Sequence, residues 1–282
     1  MSLSLTSQPP TGANGSEAEA LVLHDLSVAY GRHLILKDVS AEIHRGQVVG
    51  VIGPNGGGKS TLLKAIVGII PVLSGTITVL GRSAASMRSR MAYVPQREAV
   101  DWEFPVTVQD VVLMGRYARG RWPHFPNRRD REVALEMLDR VGMSAYRNAQ
   151  IGQLSGGQQQ RVFVARALAQ EADVLLLDEP MTGIDAGTQE VVLRIIEEQS
   201  AAGRIVLLAT HDLVSASSTC DCLCCVSERM VSYGSTVDMY TAENLSQTFG
   251  GPVIVLGPQS GIVGSGSHHV HVHENLGREH QV

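Results

Sequence analysis

Residues 53–61 read GPNGGGKST, and few stretches of nine residues restrict a chain so strongly. Gly53, Gly56, Gly57 and Gly58 let successive backbone N–H groups turn inward, where they can surround phosphate oxygens. Pro54 and Asn55 complete the loop. Lys59 brings a point charge to the outer phosphates, and the Ser60 hydroxyl suits Mg2+. The flanks agree with this use. QVVGVIG before the loop is a continuous apolar run of the buried-strand type. TLLKAIVGII after it has helical spacing, and a helix from Thr61 directs its positive end at an anion.

Two more stretches follow in order. LSGGQ at 154–158 runs into QQRVFVARALAQ, whose pattern is helical, with Arg161 and the apolar residues Val162, Phe163, Ala165 and Leu168. VLLLDEP at 174–180 is four apolar residues and then two carboxylates. Asp178 should therefore end a buried strand beside the phosphate-binding loop. There it would hold Mg2+ through water, while Glu179 faces the γ-phosphate and polarises the attacking water.

With the glycine loop, LSGGQ and VLLLDEP in this order, the chain resembles the nucleotide-binding subunits of ABC transporters, from Tyr30 to about Gly234. The resemblance implies an α/β P-loop NTPase (RecA-like) fold. Its mostly parallel sheet core carries an antiparallel β region and an inserted helical subdomain. Ser155, Gly156, Gly157 and Gln158 then serve ATP held by the opposite protomer, so two ATP molecules are clamped between two subunits. Tyr30, closing VAY, matches the aromatic that stacks on adenine. Gln96 in YVPQ matches the glutamine that senses Mg2+ and the attacking water. His211 in LLATHD matches the switch histidine at the γ-phosphate. Asp185 in TGID matches the aspartate of the loop between the two sites, although Ser-Ala-Leu more often leads that loop. The implied catalytic set is Glu179, His211 and Gln96. The implied cofactors are ATP and Mg2+, with Ser60, Gln96 and Asp178 around the metal.

The rest of the pattern supports an α/β chain independently. LVLHDLSVAY and LILKDVSAEI read as strands about a Gly31-Arg32 turn, and TITVL and MAYVPQ as further strands. DVLLLDEP, TQEVVLRIIEEQSAAG and RIVLLATH alternate strand, helix and strand, which predicts parallel pairing with crossovers. Residues 1–20, rich in Ser, Thr, Pro, Gly and Ala, are expected to be a disordered tail. The ATPase domain is expected over 21–246, with the helical subdomain at about 97–165 and NRRD as a cap region. A Gly- and His-rich tail is expected over 247–282. Hydrophobic residues make up 44% of the 282 and charged ones 18%, enough for a sizeable core.

A net charge of -5 gives no general pull toward nucleic acid. No apolar run reaches the roughly 18 residues a membrane span needs, and the start lacks the basic and apolar regions of a signal peptide. The expected place is the cytoplasmic face of the cell membrane, as a peripheral subunit. The resemblance implies a homodimer of ATPase subunits on an integral membrane permease subunit, served indirectly by an extracytoplasmic solute-binding protein, with no nucleic acid. Cys220, Cys222, Cys224 and Cys225 lie in CDCLCC. Strand alternation puts Cys222 and Cys224 on one face and Cys225 on the other, so they read as buried small hydrophobes rather than a metal set.

REAVDWEFPVTVQDVVLMGRYARG, after Gln96, resembles the ATPases of manganese, zinc and iron importers. Trp102, Phe104 and Pro105 either form an apolar hollow for a partner helix or pack the subdomain, and the two readings are compatible. The expected function is to energise uptake of a divalent metal ion, manganese or zinc. An importer of iron chelates or haem is the near alternative, and an exporter motor also stays open. A non-transport ABC ATPase of translation or repair fits less well. It would carry two nucleotide domains, coiled-coil or zinc-hook insertions, and this chain has one domain and neither insertion. In the tail, His268, His269, His271, His273 and His280 read either as a solvated segment or as ligands for an ion such as Zn2+.

Overall fold

The computed structural model describes residues 20–96, 104–118, 125–227 and 229–253. Trp102 and the histidine-rich tail lie outside them, as do residues 1–19. The chain opens with a hairpin, β1 (Leu21–Tyr30) and β2 (His33–Ile43), turned at Gly31 and Arg32. Next come β3 (Val48–Ile52), α1 (Lys59–Ile66), β4 (Ser74–Val79), β5 (Arg82–Ser83) and β6 (Met91–Val94). The insertion supplies α2 (Val108–Tyr117) and α3 (Arg128–Arg140) and leads into α4 (Gly156–Ala169). The chain then alternates β7 (Val174–Asp178), α5 (Ala186–Ala201), β8 (Ile205–Thr210) and α6 (Leu213–Thr219). It closes with β9 (Cys222–Ser227), β10 (Arg229–Ser235), α7 (Thr236–Met239) and α8 (Ala242–Phe249).

Among the described residues the strands follow one order, β5-β4-β1-β2-β10-β9-β3-β8-β7-β6. The first four pair antiparallel. From β9 through β3, β8, β7 and β6 every pairing is parallel. The apolar runs explain the parallel half, because its strands are buried on both faces. Val48, Ile52, Leu175, Leu177, Val206 and Leu208 enter one core with α2 to α6. Val49, Val51, Val174, Leu176, Ile205 and Leu207 enter the other, with α1 and the antiparallel strands. The cysteines obey the same alternation. Cys224 lies in the second core with Cys222 against it, and Cys225 joins Cys220 in the first. Burial raises the thiol pKa of Cys220 and Cys224 to about 12, so both stay protonated at neutral pH.

The helical insertion is set by its caps. Thr107 and Asp110 form a capping box at the start of α2, and Asn127 and Asp130 form one at α3. Arg116, buried on α2, then ties the helices together. It donates to Asp130 on α3 (3.0 Å), to the Ala169 carbonyl ending α4 (2.6 Å) and to Glu171 (2.7 Å). At Gly115 the backbones of α2 and α4 meet so closely that a Cβ there would sit 2.2 Å from the Arg166 carbonyl oxygen.

Three boundaries differ from the pattern-based expectation. α1 starts at Lys59, two residues before Thr61, and stops at Ile66, short of Gly68. α4 runs unbroken through position 165, because it packs on both the insertion and β6. α8 continues past 246 to Phe249, with Gly250 as its left-handed cap, and Phe249 and Val253 rest against the core.

Candidate functional site

The carboxyl ends of β3, β8, β7 and β6 lie side by side. Ile52 pairs with Thr210, Asp178 with Ala209 and Val94 with Leu177. The segments leaving these strands carry the glycine loop, His211, Glu179 and Gln96, so the register itself collects them.

The loop depends on two glycines. A Cβ on Gly53 would lie 1.9 Å from the Val226 carbonyl oxygen. Gly58, at φ 104°, caps α1, and a Cβ there would lie 2.6 Å from the Leu36 side chain. The loop thus rests directly on β9 and on the β1–β2 hairpin. Lys59, only 4% exposed, donates to the carbonyls of Gly53 (2.9 Å) and Pro54 (3.0 Å). Burial lowers its pKa, and Glu179 and Asp178 oppose that shift. Asn55 and Gly56 at the loop crest are exposed, while Ser60 and Thr61 in the first turn of α1 are half-buried.

Asp178 is buried, and each of its oxygens has a donor. Ser60 Oγ bonds Oδ1 at 2.8 Å, and the Tyr93 hydroxyl bonds Oδ2 at 2.9 Å. Burial is the first cause that raises the Tyr93 pKa, followed by the Asp178 charge, so the phenol remains a donor. Glu179 follows in a left-handed conformation, φ 48°, which a non-glycine residue adopts only under constraint. Its amide donates to the Ala209 carbonyl at 3.0 Å. Three groups converge on Oε2: Gln96 Nε2 at 3.4 Å, His211 Nδ1 at 3.4 Å and Thr182 Oγ1 at 3.3 Å. Lys59 Nζ stands 4.0 Å from Oε1.

Lys59, Ser60, Gln96, Asp178, Glu179 and His211 are therefore in one place. Tyr93 and Thr182 join them without having been singled out in the sequence. The other expected residues lie elsewhere. Tyr30 closes β1 with half its surface exposed. Ser155 caps α4 in a capping box with Gln158, and Ser155 is exposed. Asp185 caps α5, where the Thr188 hydroxyl and amide donate to it and hold its carboxyl below the usual range. It lies beside Gly157, where a Cβ would be 2.6 Å from Asp185 Oδ2. Asp185 thus braces the LSGGQ turn of its own chain.

The donor set fits a magnesium nucleotide. A hydroxyl and a buried carboxylate stand together next to a buried ammonium and a helix start, which suits a hard cation beside phosphate. Among the described residues no cluster of three or more His, Cys, Asp or Glu side chains could hold a metal, and no helix is long and apolar enough to cross a membrane.

Known proteins resemble this chain over most of its length. The sequence profile of the ABC transporter family matches residues 36–182. The chain is 44% identical over 234 residues to the manganese transport system ATP-binding protein MntB of Bacillus subtilis (strain 168), covering 83% of this chain and 94% of that one. It is 44% identical over 236 residues to the zinc transport system ATP-binding protein TroB of Treponema pallidum (strain Nichols), covering 84% and 89%. A metal-chelate type ABC transporter solved in an inward-facing conformation superposes with a TM-score of 0.74 at 28% identity, covering 84% of this chain and 91% of that one. Phosphate loop, carboxylate tip and these relatives together place the chain in the ABC transporter family, as an ATP-binding subunit that hydrolyses ATP.

Proposed function

We propose that this chain is the ATPase of an importer that carries a divalent metal ion, manganese or zinc, through a separate membrane permease. The observation that carries the ATPase half is Glu179 Oε2, ringed by Gln96, His211 and Thr182 beside the Lys59 ammonium. The metal half is supported by relatives named for manganese and zinc transport, each covered over most of its length. Iron is the weaker reading.

In this reading the ATPase domain spans about 21–246, with its helical subdomain at about 97–165. Gly53 to Thr61 wrap the phosphates, with Pro54, Asn55, Gly56, Gly57 and Gly58 contributing backbone, and Tyr30 stacks on adenine. Lys59 leaves its carbonyl partners for the β- and γ-phosphates, a move that exchanges two neutral acceptors for charged ones. Bound Mg2+ would neutralise phosphate charge, held by Ser60, Asp178 and Gln96. Glu179 takes a proton from the attacking water as its oxygen bonds to the γ-phosphorus. The bond from that phosphorus to the bridging oxygen breaks, giving ADP and phosphate. His211 and Gln96 fix Glu179 and the γ-phosphate in line, so positioning and electrostatics supply most of the rate.

Ser155, Gly156, Gly157 and Gln158 act on the ATP of a second copy, with Asp185 between the two sites. The working unit is a homodimer at the cytoplasmic face of the membrane, docked on the permease and fed by a solute-binding protein outside. Phe104 is 58% exposed, and Met114 and Tyr117, three residues apart on α2, are also exposed. These exposed apolar residues, within the segment that held the metal-importer resemblance, suit a permease helix. The test is metal uptake by vesicles holding the chain with its permease and binding protein. ATP-dependent accumulation of manganese or zinc is expected, and ATP turnover with accumulation of neither overturns the cargo.

A further inference from the structure

β6 holds both members of the carboxylate pair. Gln96, two residues past its end, reaches Glu179, and Tyr93 within it reaches Asp178. Asp178 is 1% exposed, so a carboxylate oxygen without a donor there would lack water to replace it. Ser60 occupies Oδ1, which leaves Oδ2 to Tyr93. Tyr93 is itself restrained. Its backbone pairs with Leu176 on β7. Its carbonyl accepts from Arg166 Nη2 at 3.3 Å, and that guanidinium stacks 4.2 Å over the Phe163 ring. Both Phe163 and Arg166 belong to α4, so the backbone that carries the phenol is anchored from the sheet and from the helix that LSGGQ opens.

We propose that Tyr93 is a positioning residue, whose hydroxyl fixes the orientation of the Asp178 carboxylate so that Oδ1, beside Ser60, is presented to the magnesium of Mg-ATP. This rests on the Mg-ATP reading above. With Oδ2 bonded to the phenol, the carboxylate cannot rotate about its last torsion without breaking that bond. Without the hydroxyl, Asp178 loses one of two restraints on its plane. The defect should then fall on the metal and spare the nucleotide, because the Tyr93 hydroxyl bonds Asp178, while Lys59 bonds the carbonyls of the glycine loop.

The experiment compares the unaltered chain with Tyr93→Phe, which keeps the ring and its packing. Binding of a fluorescent ATP analogue is measured in EDTA and then during Mg2+ titration. Mn2+ binding to the nucleotide complex is followed by electron paramagnetic resonance. Tyr93→Phe should leave metal-free nucleotide affinity within about twofold. It should raise the Mg2+ and Mn2+ concentrations for half-saturation about three- to tenfold, the range one hydrogen bond spans. A merely structural role would weaken metal-free binding to the same degree, and that result, or an unchanged metal requirement, overturns the proposal. Loss of metal-dependent binding in the unaltered chain would instead overturn the Mg-ATP reading, and this inference with it.

Discussion

Around Glu179, side chains from four separate segments already touch: Lys59 from the phosphate loop, Gln96 beyond β6, Thr182 in the turn after β7, and His211 beyond β8. Around Ser155 the hydrogen bonds made by its own backbone and hydroxyl stay within one turn. Ser155 and Gln158 cap each other, and the Gln159 amide bonds the Ser155 carbonyl. The amides of Gly156 and Gly157 open the helix and have no acceptor within it. The two regions therefore differ in kind. The first is held together by contacts between distant segments of the chain itself. The second is a braced helix end whose remaining donors call for something outside the chain. In the proposed dimer, a single copy would hold one prepared half of a site and offer the matching half of another.

The comparison breaks most visibly at Glu179. Glu179→Gln keeps size and most hydrogen bonds but removes the base. ATP turnover should fall about 10²- to 10⁴-fold while ATP still binds, leaving an ATP-bound dimer detectable by size-exclusion chromatography. Turnover at the parent rate, measured as phosphate release, would remove Glu179 from the role assigned to it.

A mixing experiment sharpens the contrast between the halves. Lys59→Ala disables the prepared half, and Ser155→Arg blocks the offered half with bulk and charge. Each variant alone should be nearly inactive as a homodimer. In a mixed dimer both lesions fall in one site and leave the other intact. Random pairing makes at most about half of the dimers mixed, and each keeps one of its two sites, so phosphate release should reappear on mixing, up to about a quarter of the parent value at equal amounts. If mixing restores nothing, the two regions do not serve different nucleotides.

Damage should also be separable through packing. Gly115→Ala pushes a methyl against the Arg166 carbonyl, a contact of 2.2 Å between α2 and α4. Overpacking of this kind costs about 1–3 kcal/mol, and each kcal/mol lowers the melting temperature of a domain this size by roughly 2–4 °C. The shift falls on α4, so nucleotide affinity of the isolated chain should stay within about twofold. An equally large loss of nucleotide binding in titrations would mean that the prepared half depends on α4 more than its contacts indicate.

Much of the prepared half was readable as sequence because its groups sit in short runs at the ends of apolar strands. Asp178, Glu179 and His211 sit at the end of such a run or just past it, Lys59 follows one across the glycine loop, and parallel pairing gathers the ends. Tyr93 was not readable in that way. Its contact with Asp178 requires that Tyr93 pair with Leu176, two residues before Asp178 on the same face of β7. That register is long-range information, and the phenol of MAYVPQ gives no local sign of it. The end of α8 is hard to read for a related reason. QTFGGPV looks like the start of a glycine-rich tail, yet Phe249 and Val253 find their partners in a core built by distant segments. The ties from Arg116 to Ala169 and Glu171 were equally hidden, since they span 53 and 55 residues.

Thr182 offers the smallest and most discriminating test. It stands where Ser-Ala-Leu would usually lead the loop, so its hydroxyl could have been a neutral variation. Its Oγ1 lies 3.3 Å from Glu179 Oε2, however, on the same oxygen as Gln96 and His211. Because Thr182 is exposed, water can partly replace a lost donor. Thr182→Val keeps the branched shape and removes the hydroxyl. A neutral hydrogen bond contributes about 0.5–1.5 kcal/mol net, and one to a charged group somewhat more. The expected loss in kcat is therefore about two- to tenfold, with KM for ATP little changed, because the bond orients the base and does not hold the nucleotide. Thr182→Ser should restore most of the rate, since it returns the donor without the methyl. Equal kcat for the Val and Ser variants would show that the hydroxyl is idle and that Gln96 and His211 suffice to fix Glu179.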